Sequence, residues 1–264
     1  MSAVLLQAHR GVETDYPENT MPAYRAAVEQ GYKIIEVDYR LTKDRIPVMC
    51  HNRTVNSRAR LKDGSLLPDT VTIADVNYSD LLAYDFGIRK GERFRGTGIP
   101  LFSDVLDLAR DSGVALKIDN KHFENSPEDR ESVYRLIKRS GARVAVSCFT
   151  LCDAREVRTA LPDADISFDG VSDESFLSEA LEIAGPGRLQ MWIPVQFGLA
   201  SWAPKEWFEA LERTETVKKY AKLGLWAIGP EVFPEAVKKY RPWAVETDGR
   251  IKPSDAKAIE KKLY

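Results

Sequence analysis

The sequence predicts an α/β fold, a (β/α)8 barrel of the TIM type, and three observations lead there. Strand-length apolar runs alternate with helix-period stretches from one end of the chain to the other. Counting them gives eight strand candidates, each followed by a helix candidate. No G-x-G-x-x-G turn follows any strand, which disfavours an open doubly wound sheet.

Taken in order, a strand at 3–8 leads into a helix at 20–30 that stops at Gly31. The second strand, 33–39, is followed only distantly by its helix at 101–112, which stops at Gly113. Strand 114–119 precedes helix 128–140 and Gly141, and strand 143–148 precedes helix 151–161 and Pro162. Strand 164–168 pairs with helix 173–184, and strand 189–195 with a helix at 205–223 ending at Gly224. Strand 224–228 with helix 231–240, and strand 242–247 with helix 254–262, complete the set.

Residues 52–100 break this rhythm. They carry a basic segment (Arg53, Arg58, Arg60, Lys62), a turn at Asp63-Gly64 and a glycine- and charge-rich run from Gly87 to Gly98. An ordinary strand–helix connection has ~2–6 residues, so this stretch reads as an insertion after strand two. The expected organisation is one catalytic barrel domain over 1–264, with 52–100 lying over the active-site end. The segment 45–50 reads as a continuation strand with His51 at its tip.

The chain has 264 residues with 38 Lys and Arg against 40 Asp and Glu, a formal net charge of −2. Such a balance argues against a nucleic-acid partner, which calls for a basic excess. Cys50, Cys148 and Cys152 have neither zinc-site spacing nor an even count, which fits a reducing compartment. No apolar run approaches the ~20 residues that span a bilayer, and the N-terminus reads as a strand, not a signal peptide. The expected setting is therefore cytoplasmic, with a small molecule as partner. Nothing indicates the oligomeric state.

In a barrel of this type the site lies at the C-terminal strand ends. Those ends carry His9-Arg10-Gly11, Glu36 and Asp38, His51-Asn52, Asp119 and Lys121, and Glu246-Thr247-Asp248. Residues two apart on a strand share a face, so Glu36 and Asp38 point together, as do Asp119 and Lys121. Inward carboxylates from adjacent strands cannot all stay ionised without a cation, and one divalent ion, Mg²⁺ or Ca²⁺, is the simplest resolution. Three tryptophans fall within 190–208, at Trp192, Trp202 and Trp207. Trp192 reads as core and Trp207 as helix packing. Phe197 and Trp202 would sit in the sixth strand–helix loop, where they could wall a substrate pocket. His122 matches no motif and reads as a surface residue.

Across nearly the whole chain these residues resemble the glycerophosphodiester phosphodiesterase family. The specific part is His9-Arg10-Gly11, Pro17-Glu18-Asn19-Thr20, Glu36-x-Asp38, Leu41-Thr42-x-Asp44 and Pro47-Val48-x-x-His51. Ile99-Pro100, Asp119-x-Lys121, Cys148-Phe149, Trp226 and Thr247-Asp248 add weaker matches. The resemblance implies metal-dependent hydrolysis of a phosphodiester to a phosphomonoester and an alcohol. It assigns His9 and His51 to general acid/base catalysis, which imidazoles perform near neutral pH. It makes Glu36, Asp38 and Asp119 metal ligands, and gives the phosphate to Arg10 and Lys121.

The chain departs from the family pattern in four places. Asn52 stands where an Asp usually follows the second histidine, and Asp119 replaces a Glu. Leu101-Phe102 replaces Thr-Leu, and Trp226-Ala-Ile-Gly229 replaces Trp-Thr-x-Asn. These departures surround the catalytic centre, so they point to an altered substrate pocket, with Asn52, Phe197, Trp202 and Trp226 as its candidates. Three alternatives stand beside this reading: a sugar-phosphodiester phosphodiesterase, a phosphate-ligand-binding barrel with little turnover, and a sphingomyelinase D-like phospholipase.

Overall fold

The computed structural model describes residues 4–195, 210–226 and 228–263. Its centre is a closed barrel of eight parallel strands. In chain order the first elements are β1 (Leu5–Ala8), α1 (Met21–Glu29) and β2 (Ile34–Val37). The chain then leaves the barrel for β3 (Tyr39–Leu41), β4 (Pro47–Met49), β5 (Arg60–Leu61), α2 (Tyr78–Leu81) and β6 (Tyr84–Asp85). It returns through α3 (Phe102–Ser112), β7 (Ala115–Ile118), α4 (Pro127–Ser140), β8 (Val144–Ser147), α5 (Leu151–Ala160) and β9 (Asp165–Asp169). After α6 (Glu174–Ala184) and β10 (Leu189–Pro194) come α7 (Thr214–Tyr220), β11 (Lys222–Trp226), α8 (Phe233–Tyr240), β12 (Ala244–Thr247) and α9 (Pro253–Leu263). The barrel order is β1-β12-β11-β10-β9-β8-β7-β2, so β2 pairs directly with β7 across the excursion.

Local sequence accounts for the element ends. Helix α4 starts with Pro127 behind Ser126, whose hydroxyl accepts the Asp129 N–H, and α5 starts with a reciprocal Thr150–Asp153 capping box. Helices α3 and α4 stop at Gly113 and Gly141, as the sequence predicts.

Two expectations are corrected at the second strand. The run 33–39 does not continue as one strand: it breaks at Asp38, after which β3 turns away from the barrel. The segment 45–50 is not a continuation of the barrel strand either, because Pro47–Met49 returns antiparallel to Tyr39–Leu41 as the second arm of a hairpin. A period-two apolar pattern looks the same in either arrangement, since both bury one face. The start of strand 224–228 also shifts, to Lys222.

Alternate residues of the barrel strands face opposite ways, and the two faces pack differently. Val37, Leu116, Ile118, Val146 and Ile166 belong to the main core, packed against Val105, Leu106, Val133, Val157 and Leu177 of the helices. Burying each such side chain stabilises the fold by ~1.5–3 kcal/mol. Inside the barrel Ile34, Trp192 and Ala244 form a small separate cluster. Trp192 fits there because Gly224 has no Cβ; one added at that position would lie 2.3 Å from the indole. The excursion has a third core of its own, including Val48, Cys50, Val55, Ile73, Leu81, Phe86 and Ile99. The three cysteines are free thiols. No helix among the described residues is long and apolar enough to cross a membrane.

Candidate active site

Both candidate histidines, both candidate phosphate-binding cations and all three candidate carboxylate ligands line one cavity of about 370 Å³. Trp226 lines it as well, whereas Asn52 stands behind His51 and does not. Phe197 and Trp202 lie outside the described residues.

Residues 9–11 build the first wall through a tight backbone turn. Arg10 has φ 51° and Gly11 φ 86°. A Cβ on Gly11 would meet Ala23 at 2.7 Å, so glycine is required both for its conformation and for its space. Arg10 carries the left-handed backbone with a full side chain, a strained state kept where several contacts hold it. Its N–H donates to Glu36 Oε2 at 3.1 Å and its carbonyl accepts the Asn19 N–H at 3.0 Å. Its guanidinium reaches Asp38 Oδ2 and Glu18 Oε1, both at 3.2 Å.

Asp38 is fully buried and surrounded by partners. Asn19 Nδ2 donates to its Oδ2 at 3.0 Å, and Lys121 Nζ lies 2.9 Å from its Oδ1. Burial alone would raise its pKa, but Lys121, Arg10 and His51 pull it down to about 2. Lys121 also donates to Asp119 Oδ1 at 2.7 Å. Glu36 shows the opposite balance: burial and the neighbouring Asp38 push its pKa well above the usual carboxylate range.

The two histidines are held differently. His9 Nδ1 pairs with Glu13 Oε1 at 2.5 Å, which leaves Nε2 for the cavity. Burial opposes protonation of this ring, but Glu246, the Glu13 hydrogen bond and Glu36 outweigh it and raise the pKa to about 10. His51 Nδ1 lies 2.7 Å from Asn52 Oδ1, and Asn52 donates its amide to Ser57 Oγ at 2.9 Å. With the amide so oriented, Nδ1 carries the proton and Nε2 is an acceptor. Burial and Arg10 hold the His51 pKa below its ordinary value against the pull of Asp38.

A hard cation fits this donor set. Glu36, Asp38 and Asp119 each offer an oxygen, all within 4.8 Å of one another. Glu36 and Asp38 are buried side by side, and the repulsion that Asp38 adds to the burial of Glu36 is one that a cation between them would relieve. Oxygen-only carboxylate ligation suits Mg²⁺ or Ca²⁺.

The profile described as the glycerophosphoryl diester phosphodiesterase family matches residues 9–182. The chain belongs to this family. A glycerophosphodiester phosphodiesterase of Caldanaerobacter subterraneus is 32% identical over 165 residues, covering 61% of this chain and 65% of the relative. One from Bacillus altitudinis is 34% identical over 128 residues, covering 48% of this chain and 46% of the relative. The matches thus span between about half and two thirds of these relatives' lengths. Among solved structures, an Oleispira antarctica phosphodiesterase in complex with its product sn-glycerol-3-phosphate superposes with TM-score 0.73 at 17% identity, over 98% of this chain and 97% of the other. The Thermotoga maritima glycerophosphodiester phosphodiesterase gives TM-score 0.64 at 21% identity, over 99% of each chain. These structural likenesses establish the barrel fold.

Within this barrel, the structure adds residues that the sequence did not assign. Glu13 orients His9 from four residues away. Asn19 of the Pro-Glu-Asn-Thr motif joins Asp38 to the buried Tyr24 hydroxyl. Lys117 and Asp169 line the cavity from β7 and β9. Lys117 was within reach of the sequence reading, since it lies two positions before Asp119 and so shares its face.

His122 is a correction. It is 1% exposed, not a surface residue. It sits in the short helical turn Asn120–Glu124 after β7, with Nδ1 2.6 Å from the Tyr39 hydroxyl and its ring against Phe123 and Tyr134. Burial, with Arg130 nearby, pushes its pKa down to about 3. Between that value and the unfolded value of ~6.5 only the unfolded chain binds the proton. Stability from this group is therefore complete above pH ~6.5 and lost as pH falls toward 3, by ~1.4 kcal/mol per pH unit. His122→Asn, which can still accept from Tyr39 but does not titrate, will flatten the acid side of the stability profile by about that slope. Urea unfolding at pH 6 and pH 5 measures the difference.

Proposed function

We propose that the chain hydrolyses a small organic phosphodiester of the glycerophosphodiester class to a phosphomonoester and an alcohol, with one divalent cation bound. The observation that carries this reading is the convergence of two oppositely prepared imidazoles, two cations and three carboxylates on one cavity. Glu36, Asp38 and Asp119 would hold the cation. When bound, it would supply positive charge to a non-bridging phosphate oxygen and lower the pKa of the attacking hydroxyl.

The chain's own residues do the rest. Arg10 and Lys121 draw the phosphate in and hold it beside the histidines, the fork of one complementing the point charge of the other. His51 Nε2 takes the proton of the attacking hydroxyl as its oxygen bonds to phosphorus. His9, protonated and steadied by Glu13, gives its Nε2 proton to the departing alkoxide as the old P–O bond breaks. Asn52 keeps His51 in the accepting tautomer without adding charge, the task its oxygen performs where a carboxylate is usual.

The same reading takes 1–264 as one catalytic domain with 52–100 as its insertion over the active-site end. Lys90 Nζ donates to the Glu13 carbonyl at 2.7 Å and Arg93 to that of Asp15 at 2.9 Å, which support this arrangement from the far side of the excursion. The test is release of phosphomonoester from a panel of glycerophosphodiesters with Mg²⁺, Ca²⁺ or Mn²⁺, with and without chelator. Turnover that chelator abolishes is expected; no turnover with any ion sinks the reading.

A further inference from the structure

We propose that Lys117 and Asp169 form a subsite for the vicinal hydroxyls of a glycerol or sugar group esterified to the phosphate, and so favour esters of such a diol over those of an alcohol without one. The inference rests on the phosphodiesterase reading and names its substrate class.

Lys117 lies two residues before Asp119 on β7, on the same face and deeper in the barrel. Its side chain is only 7% exposed, yet its ammonium makes no hydrogen bond among the described residues. The nearest carboxylate oxygen, Asp169 Oδ1, is 3.9 Å away, beyond hydrogen-bonding distance. Asp169 likewise spends none of its acceptors on a hydrogen bond among the described residues, and both side chains line the cavity. Both groups face the cavity, and a cavity with a few convergent polar groups is how proteins fix a ligand's orientation.

The pair offers donors on one side and acceptors on the other, across a gap that one or two oxygens would bridge. A vicinal diol matches this: one hydroxyl oxygen accepts from Lys117 while its neighbour donates to Asp169. The ammonium also lies over the Trp192 ring at 5.1 Å. That contact helps to hold the ammonium at the cavity wall, where it faces the gap to Asp169.

The test compares binding of sn-glycerol 3-phosphate and methyl phosphate by calorimetry in Mg²⁺ buffer, for the wild type, Lys117→Met and Asp169→Asn. Wild type is expected to favour the glycerol ester, and each variant to reduce that affinity ratio roughly 10- to 100-fold, the range of a hydrogen bond to a charged group. The ratio cancels any general damage to phosphate binding. Should Lys117→Met fail to fold, the isosteric Asp169→Asn decides alone. A wild type without preference, or variants that keep it, overturns the subsite. A preserved ratio effect in a protein that hydrolyses no diester overturns the phosphodiesterase reading and leaves the subsite standing.

Discussion

His9→Ala and His51→Ala will each lower turnover of a glycerophosphodiester by at least ~10²-fold, the scale of general acid–base assistance. The pH profile separates their roles. His9, raised to about 10, is protonated below that value, so activity that needs its proton is lost as pH rises toward 10. His51, lowered by burial, is neutral above a value under 6.5, so activity that needs its lone pair is lost as pH falls through that region. Wild-type kcat/KM is therefore expected to be level through neutrality. The residual rate of His51→Ala should lack the acid limb, and that of His9→Ala the alkaline limb. Retention of both limbs in both variants, or a wild-type rate in either, contradicts the assignment. Glu13→Gln should reproduce part of the His9 effect, because it removes the charge that holds the ring's proton.

Glu36→Gln will raise the cation concentration needed for half-maximal activity by at least ~10–100-fold, the scale on which even indirect partners of a metal act. The amide keeps an oxygen for the Arg10 N–H, so the turn at 10–11 should survive. A second readout separates a ligand from a merely structural residue. Glu36 is buried beside Asp38 and resists ionisation, so the amide removes the cost of holding that carboxyl uncharged in the cation-free protein. The variant should therefore melt at or above the wild-type temperature in chelator, yet gain less than the wild type when cation is added. An unchanged cation titration removes Glu36 from the ligand set.

The barrel and the reacting centre were legible for different reasons. Eight apolar runs and their helices reflect burial on both faces of parallel strands, a pattern that needs no partner to be seen. Glu36-x-Asp38 and Asp119-x-Lys121 could be placed on common faces from spacing alone. The hairpin at 39–49 was not legible, because antiparallel return and parallel continuation bury the same alternate residues. His122 was misplaced because the turn Asn120–Glu124 is too short to show a helical period, and its partner Tyr39 lies eighty-three positions away. Lys117 went unassigned within the expected strand 114–119, and Asp169 fell one residue past the expected strand end. Their common destination is a property of the closed barrel, which brings β7 and β9 to one cavity.

The excursion after β2 divides the site between two cores. His9 rises from β1, within the barrel, whereas His51 follows β4, which is shared: Val48 packs in the separate cluster with Val55, Ile73 and Phe86, and Met49 in the main core. Segments with their own small core open as cooperative units below the free energy of global unfolding. The proposed acid thus rests on the main core, and the proposed base on a strand that both cores hold. Loosening of the smaller core in mild denaturant is expected to lower catalysis before the barrel's helical signal changes, which activity and circular dichroism followed together measure. The seam between the two packings is held where Arg58 pairs with Glu18 and Lys90 Nζ donates to the Glu13 carbonyl, so the relative position of the two histidines depends on contacts that touch neither ring.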